Sequence, residues 1–508
     1  MAAGQAVTHI RMLTWGTLLA LVGCAAGPDF HAPAPPSVDA YRKDALPAAT
    51  VAANVPTGDA QRFLQGADVP AHWWTTFASD ELNRRVEQAL AHSPTIASAQ
   101  AALRQAQENA NASRGALFPA VDAKAGATRG NANGFGSIGL PGSGPSTFTL
   151  YNAGVNVGYT LDLLGSVRRG VEAQSALADF QRFQLEGTYL SLAANVATAS
   201  FREASLREQI RATQEIIDVY GKELGLVEKQ NQIGAKSLAD VLVIRTQVAT
   251  AQATLPPLRQ ALAQTQTQLA VYLGQFPSTA ELAAVNLDAL TLPRDVPVSL
   301  PSTLTQQRPD IRAAEAQLHQ ATAAVGVATG NLFPQITLSG TLGSSALKAD
   351  DLFSGGTRAW TLGANLLQPV FHGGSLRAQK RAAEAGLDKA AADYQSVVLT
   401  AFQNVADSLR ALELDAENLQ AQALAEQSAA HSLELVRIQY KDGAASYLQE
   451  LDATRQYQLA RIGLIQARAA RLADTAALYT ALGGGWQQGA EPDAVKSGVA
   501  ATPVTQSH

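Results

Sequence analysis

The 508-residue sequence contains one cysteine, Cys24, so neither an internal disulfide nor a cysteine-based zinc site can form. Charged residues make up only 16% of the chain, and its net charge of −5 includes no basic block, which argues against nucleic acid as a partner. Beyond residue 24 there is no run of about 20 apolar residues, so the sequence predicts no membrane-spanning helix. Such a chain can cross a bilayer only as a closed set of strands.

Catalytic motifs lack the context that their chemistry needs. Gly134-Phe-Gly136-Ser-Ile-Gly139 has the spacing G-x-G-x-x-G, but it lies in a Gly/Pro-rich loop between predicted strands instead of between a strand and a helix. His372-Gly-Gly has no accompanying Gly-x-Ser-x-Gly nucleophile elbow, and the eight histidines show no metal-ligand spacing. We therefore predict that the protein is not an enzyme and that it has no cofactor or metal site.

The first residues have the pattern of a secretory signal. Arg11 is followed by an apolar run from Met12 to Val22, and Leu-Val-Gly-Cys24 then resembles the bacterial lipobox. That resemblance implies a signal peptide at 1–23 and a mature N-terminus at Cys24 that carries diacylglycerol and an N-acyl chain such as palmitate. The alternative is a lone buried cysteine. Residues 27–70 are rich in proline and alanine, and we expect a lipidated, extended N-terminal arm at 24–78.

The remainder of the chain contains an internal sequence repeat. Leu226–Ser237 and Leu435–Ser446 share Leu, Val, Gln, Gly, Ala and Ser in the same order, 209 residues apart. Gly-x-Leu-Phe-Pro occurs at 115–119 and again at 330–334, 215 residues later. We predict the following segments: a first repeat at 79–274, a linker at 275–302, a second repeat at 303–486 and a disordered tail at 487–508.

Each repeat has the same predicted plan. A helix starts at Pro94 or Pro309, since proline is favoured in the first turn. Two strands follow, at about 119–129 and 148–163 in the first repeat and at about 334–344 and 360–371 in the second. A long proline-free helix comes next, with apolar positions at alternating steps of four and three that indicate a coiled coil. In the long helix of the first repeat, this series of positions also includes Glu203, between Ala199 and Leu206.

The repeated Gly-Ala-x-Ser segments, 234–237 and 443–446, are predicted to be the tips of helical hairpins. Gly234 and Gly443 suit the left-handed position that ends a helix. Ser237 and Ser446 suit the N-cap of the next helix, and the residues three positions later, Asp240 and Gln449, complete capping-box spacings.

Together these motifs resemble the TolC-like outer-membrane factors of tripartite RND-type efflux pumps, in their lipoprotein, NodT-like subgroup. The resemblance rests on Cys24–Phe30, Trp73-Trp74, the two Phe-Pro strand entries, Tyr447–Ala453 and Leu478–Trp486. It implies an α+β membrane protein in the Gram-negative outer membrane that extends into the periplasm. Three copies would close a twelve-stranded β-barrel, four strands per chain, continued by an α-helical coiled-coil tunnel. The implied partners are a homotrimer, a periplasmic adaptor protein, an inner-membrane RND-type transporter and outer-membrane lipid.

The resemblance also suggests a gate. Asp452 lies one helical turn beyond Leu448, and the matching family positions line the periplasmic constriction of the closed channel. Three copies would form an acidic ring under an apolar ring, and Tyr440 would help to hold the closed state through hydrogen bonds. A solvated carboxylate on a polar helix face is the simpler interpretation of Asp452. The counterpart of Asp452 in the first repeat is Val243, so the gate should depend mainly on the second hairpin.

The tips are the expected docking point for the adaptor, although turn formation alone requires the same residue types. The tip residues concerned are Gly234, Ala235, Ser237, Gly443, Ala444 and Ser446. The predicted function is a passive duct that exports small molecules such as drugs. A type I protein-secretion channel and a non-pore coiled-coil structural lipoprotein are the alternatives.

Overall fold

The computed structural model describes residues 26–131 and 147–484. The predicted signal peptide, Cys24, the Gly134–Gly139 motif and the tail after 486 therefore lie outside the described residues. The chain divides into two compact units, taken separately below. Of the described residues, one unit comprises 26–33, 102–131, 147–181 and 313–395, and the other comprises 34–101, 182–312 and 396–484. Both sequence repeats contribute to each unit, so the repeats are not themselves compact bodies.

The helices, in chain order, are α1 (Asp80–His92), α2 (Pro94–Gly115), α3 (Ser166–Gln232), α4 (Leu238–Tyr272), α5 (Pro301–Gln307), α6 (Pro309–Gly330), α7 (Ser375–Lys441) and α8 (Tyr447–Ala481). The strands are β1 (Arg62–Gln65), β2 (Ala120–Asn131), β3 (Thr147–Leu161), β4 (Asp295–Val298), β5 (Gln335–Ala346) and β6 (Arg358–Leu367). Among the described helices, none combines the length and the apolar character that a membrane span requires. The two longest, α3 and α7, have 67 residues each.

The first unit contains a four-stranded antiparallel sheet in the order β2-β3-β5-β6. One cross-strand row consists of Ala123, Val155, Leu342 and Trp360, and the adjacent row consists of Asp122, Asn156, Thr341 and Thr361. Because successive side chains point to opposite faces, one face of the sheet is apolar and the other is polar. The apolar face is exposed: the exposed fraction is 61% for Leu342 and 71% for Trp360.

The second unit has an aromatic core. Trp73, Phe77 and Tyr479 are buried, and their rings lie 5.7 Å (Trp73–Tyr479) and 6.4 Å (Phe77–Tyr479) apart. Phe201 of α3 joins them, 4.9 Å from the ring of Phe77. Trp73 and Trp74 are therefore core residues, and Trp73 and Phe77 connect the end of the arm to α8 and α3.

The arm has more structure than its composition indicates. In the second unit, β1 pairs in parallel with β4, a strand that lies inside the predicted linker, with Phe63 opposite Val296. The fully buried guanidinium of Arg471 donates hydrogen bonds to the carbonyl oxygens of Thr57 and Asp59, at 3.2 Å and 2.8 Å. These contacts hold the arm against α8 by saturating backbone carbonyls that burial would otherwise leave without a partner.

A carboxylate pair in the second unit predicts a pH-dependent stability. Burial, and then hydrogen bonding to Asp474, raise the pKa of Asp415 from 3.8 to about 7. Between those two values the folded chain keeps a proton that the unfolded chain releases, so we expect the free energy of unfolding to fall as the pH rises through this window. Thermal unfolding followed by circular dichroism at pH 5 and pH 8 measures the difference.

Asp415→Asn should remove most of that pH dependence, because the amide cannot ionise. Asp407→Asn, an exposed position on the same helix, should leave it unchanged. Equal pH dependence in the Asp415→Asn variant and the unmodified protein would contradict the shared-proton interpretation.

Candidate functional site

The candidate site is built from the two hairpin tips, all of it within the second unit. At the first tip, Gly234 has a φ of +77°, and the amide of Ala235 donates to the carbonyl oxygen of Gln230 at 2.8 Å. Ser237 then forms a complete capping box with Asp240. Hydrogen bonds from the hydroxyl and the amide of Ser237 lower the pKa of Asp240, so this carboxylate is ionised and fixes the start of α4.

The second tip has the same geometry. Gly443 has a φ of +78°, the amide of Ala444 donates to the carbonyl oxygen of Gln439 at 2.7 Å, and Ser446 forms a capping box with Gln449. All six predicted tip residues are exposed. Both turns are therefore set by local hydrogen bonds, and their outer surfaces are free within the single chain.

Large apolar side chains surround both tips at the surface. Ile233 is 80% exposed and Leu238 is 63% exposed beside the first tip, and Leu448 is 67% exposed beside the second. Beneath them lies a buried cluster of α3, α4 and α8 that includes Ile217, Tyr220, Val241, Ile244 and Leu451. The cluster accounts for the stability of the hairpins, whereas the exposed side chains are available to a partner.

The two hairpins are joined by a hydrogen bond that the sequence did not predict. The hydroxyl of Tyr447 donates to Glu223 of α3 at 3.2 Å. Burial, and then the charge of Glu223, raise the pKa of Tyr447, so its hydroxyl remains a donor. Burial and the charge of Glu450 raise the pKa of Glu223 in turn. Tyr440, the predicted contributor, packs its ring 5.6 Å from that of Tyr447 and so supports this contact.

Of the three predicted gate residues, Leu448 and Asp452 are exposed and Tyr440 is half-buried, and Asp452 has a partner. Its carboxylate lies 3.0 Å from the guanidinium of Arg455, one turn further along α8, and 59% of the Asp452 side chain is exposed. Sequence reasoning missed Arg455, although the spacing of three residues on a helix could have indicated the pair. The site therefore presents an Asp-Arg pair in each chain, and not an isolated carboxylate.

Comparison with known proteins decides the family. The sequence profile of the outer membrane efflux protein family matches residues 86–275 and 300–484, which are most of both repeats. The chain belongs to the outer membrane efflux protein family. This membership confirms the resemblance inferred from the sequence motifs.

Individual members of the family agree with this assignment. The pyoverdine export outer membrane protein OpmQ of Pseudomonas aeruginosa is 33% identical over 422 residues, which cover 82% of this chain and 87% of OpmQ. The antibiotic efflux pump outer membrane protein ArpC of Pseudomonas putida is 32% identical over 477 residues, 93% of this chain and 95% of ArpC. The solved structure of the outer-membrane channel OprN superposes with a TM-score of 0.80 at 29% identity and covers 91% of this chain and 100% of that one.

The family determines the general role. The protein is an outer-membrane channel component of an efflux system, and the prediction that it is not an enzyme is confirmed by the function of its relatives. The helix-rich fold is shared with solved outer-membrane channels. The contributions of the individual tip residues stay predictions.

Proposed function

We propose that this protein is the passive outer-membrane duct of a tripartite pump and that it works as a homotrimer. The observation that carries the proposal is the two-faced sheet, whose apolar face is exposed in the single chain. An exposed apolar face is suited to contact with lipid. In a bilayer the outer strands β2 and β6 also need pairing partners, since unpaired strand edges are not tolerated in hydrocarbon. Three four-stranded sheets joined edge to edge give a twelve-stranded barrel with a polar lumen.

We propose that the helices continue this duct into the periplasm and that the tips dock a periplasmic adaptor protein. The exposed Ile233, Leu238 and Leu448 supply apolar contact area beside the tips. Energy for transport has to come from a partner, for which an inner-membrane RND-type transporter is our proposal, because the sequence has no phosphate-binding loop.

The proposed cargo is a small molecule. OpmQ and ArpC are named for the export of pyoverdine and of antibiotics, and this chain is about equally similar to both. Overall sequence similarity therefore does not identify the cargo of this protein, as expected for a passive duct. Export of a protein is the alternative, and a genomic neighbour that is a secreted protein with its own transporter would favour it.

We propose that the ring of Leu448 and Asp452 narrows the periplasmic entrance and that the Tyr447–Glu223 hydrogen bond, supported by Tyr440, holds the hairpins together in the closed state. The Asp452–Arg455 pair refines the sequence prediction. Six charges of alternating sign around a trimer attract one another, whereas three carboxylates alone would repel. The ring is thus better suited to stay closed than a purely acidic ring.

The gate is tested by conductance in planar lipid bilayers. Asp452→Ala leaves three unpaired Arg455 guanidinium groups around the proposed entrance, and their mutual repulsion should weaken the closed state and raise the open fraction severalfold. Val243→Ala, at the corresponding position of the first repeat, is the matched control and should have no effect. An unchanged conductance of Asp452→Ala would refute the gate, and unmodified protein without any channel activity would support a non-pore structural lipoprotein.

The lipid anchor is a separate proposal, carried by the lipobox at Cys24. Cys24→Ser should abolish the incorporation of labelled palmitate, since Cys24 is the only thiol of the chain. Labelling that persists in the Cys24→Ser chain would place the lipid elsewhere.

A further inference from the structure

The first described residues are held tightly by the body of the first unit. The amide of Ala26 donates to the carbonyl oxygen of Leu164 at 2.7 Å, three residues after the end of β3. Gly27, with a φ of +87°, lies against Gly326 of α6, where an added Cβ would come within 2.5 Å of the Gly326 Cα. The backbone of the arm can approach α6 this closely only because both positions are glycine.

Charged and aromatic contacts fix the next residues. Arg169 at the start of α3 forms an ion pair with Asp29 and another, of 2.7 Å, with Glu172. Glu172 in turn lies 2.8 Å from Nε2 of His319 on α6. The ring of His319 stacks on Phe30 with a centroid distance of 4.3 Å and an interplanar angle of 15°.

The protonation states suit this network. Burial by itself would raise the pKa of Glu172, but hydrogen bonds from Arg169 and His319 outweigh it and lower the pKa. The carboxylate is therefore ionised between two donors. Only 7% of the Arg169 side chain is exposed, whereas Asp29 is 77% exposed, so solvent screens this ion pair on the carboxylate side while Arg169 stays anchored by Glu172.

The internal repeat shows that these residues are not a by-product of the fold. The positions that correspond to Arg169 and Glu172, 209 residues later, are Ala378 and Arg381. Those that correspond to Gly326 and His319, 215 residues earlier, are Asn111 and Arg104. The repeat provides two equivalent places on the helices, and only the one beside the end of β3 has the residues that contact the arm.

We propose that residues 26–30, held by Leu164, Arg169, His319 and Gly326, form a clasp that fixes the acylated end of the chain beside the end of β3, so that its lipid enters the membrane at a set position next to the sheet. The inference rests on the proposed acylation of Cys24. Residue 24 is two residues from Ala26, so chain geometry limits the distance between their Cα atoms to about 7 Å. A lipid tethered so closely keeps the sheet at a high effective concentration at the bilayer and speeds its insertion.

The test compares variants of the full chain by pulse-chase labelling in cells. The measured quantity is the half-time for the appearance of heat-resistant trimer. Gly326→Leu fills the space under Gly27, and Asp29→Ala removes an exposed carboxylate with little risk to folding. Asn111→Leu is the matched control at the position equivalent to Gly326. Each variant is made in the acylated chain and in a Cys24→Ser chain exported with an ordinary cleavable signal in place of residues 1–23.

In the acylated chain, Gly326→Leu and Asp29→Ala should each lengthen the half-time roughly fivefold while palmitate labelling remains normal. In the Cys24→Ser chain the same changes should have no effect, and Asn111→Leu should have none in either chain. Equal slowing with and without the lipid would overturn the clasp and leave a purely structural contact, and so would normal half-times in both acylated variants. Absence of palmitate from the unmodified protein would instead refute the acylation on which the clasp depends.

Discussion

Glu203→Ala is expected to lower the free energy of unfolding of the second unit by about 3 kcal/mol, because the change removes the nearer carboxylate from the buried cation Arg85 and leaves it only a 3.4 Å contact with Glu81. The side chain of Glu203 is fully buried on α3, 2.8 Å from the guanidinium of Arg85 on α1 and 2.7 Å from that of Arg207. Arg85 is itself only 2% exposed, so water cannot replace the lost carboxylate. Its hydrogen bonds to Ser200 and to the carbonyl oxygen of Ala283 hold the guanidinium in place and prevent it from moving outward.

Chemical unfolding in detergent, monitored by helical circular dichroism, measures this loss. Glu208→Ala is the matched control: it removes an ion pair with Arg211 on the same helix, but the guanidinium is 57% exposed. Exposed pairs contribute about 0.2–1 kcal/mol, so the control should change the midpoint little. Similar losses in the two variants would show that burial does not set the energy of the Glu203 network.

Local features of this fold were predictable from the sequence. Both capping boxes are present where Gly-Ala-x-Ser indicated them, and α2 and α6 start at the predicted prolines, Pro94 and Pro309. The signals for these features lie within about four residues of each other, where capping geometry fixes the chain. The position of Glu203 among the apolar residues of the coiled coil was predictable too, because the spacing of three and four residues is also a local signal.

Long-range contacts were not predictable. Arg471 binds carbonyl oxygens more than 400 residues away, and β1 and β4 are four-residue strands, too short to show a period. The same limit applies to the site. Gly443 and Ser446 were found from local signals, whereas the hydrogen bond from Tyr447 to Glu223 depends on how α3 and α8 pack. Without homologous sequences, a single chain carries no record of which distant residues meet.

Trp73 shows the same limit, since the Trp73-Trp74 pair is visible in the sequence but the partners of its ring are not. The side chain is fully buried, with ring centroids 5.9 Å from Trp74, 6.3 Å from Phe77 and 5.7 Å from Tyr479. Trp73→Ala should therefore cost about 3–5 kcal/mol in the free energy of unfolding, through lost transfer energy and the cavity that remains. Trp73→Phe keeps an aromatic ring and should cost distinctly less.

Phe276→Ala is the matched control for Trp73→Ala in unfolding by denaturant, because Phe276 lies in the same unit but is 79% exposed. It should leave the midpoint nearly unchanged. Contact between Trp73 and Tyr479 also predicts that Trp73→Ala and Tyr479→Leu combine less than additively, since the second change removes contacts that the first has already lost. Additive losses would mean that the arm and α8 are stabilised independently, and Trp73 would then be a local core residue of the arm instead of the link between the arm and the end of α8.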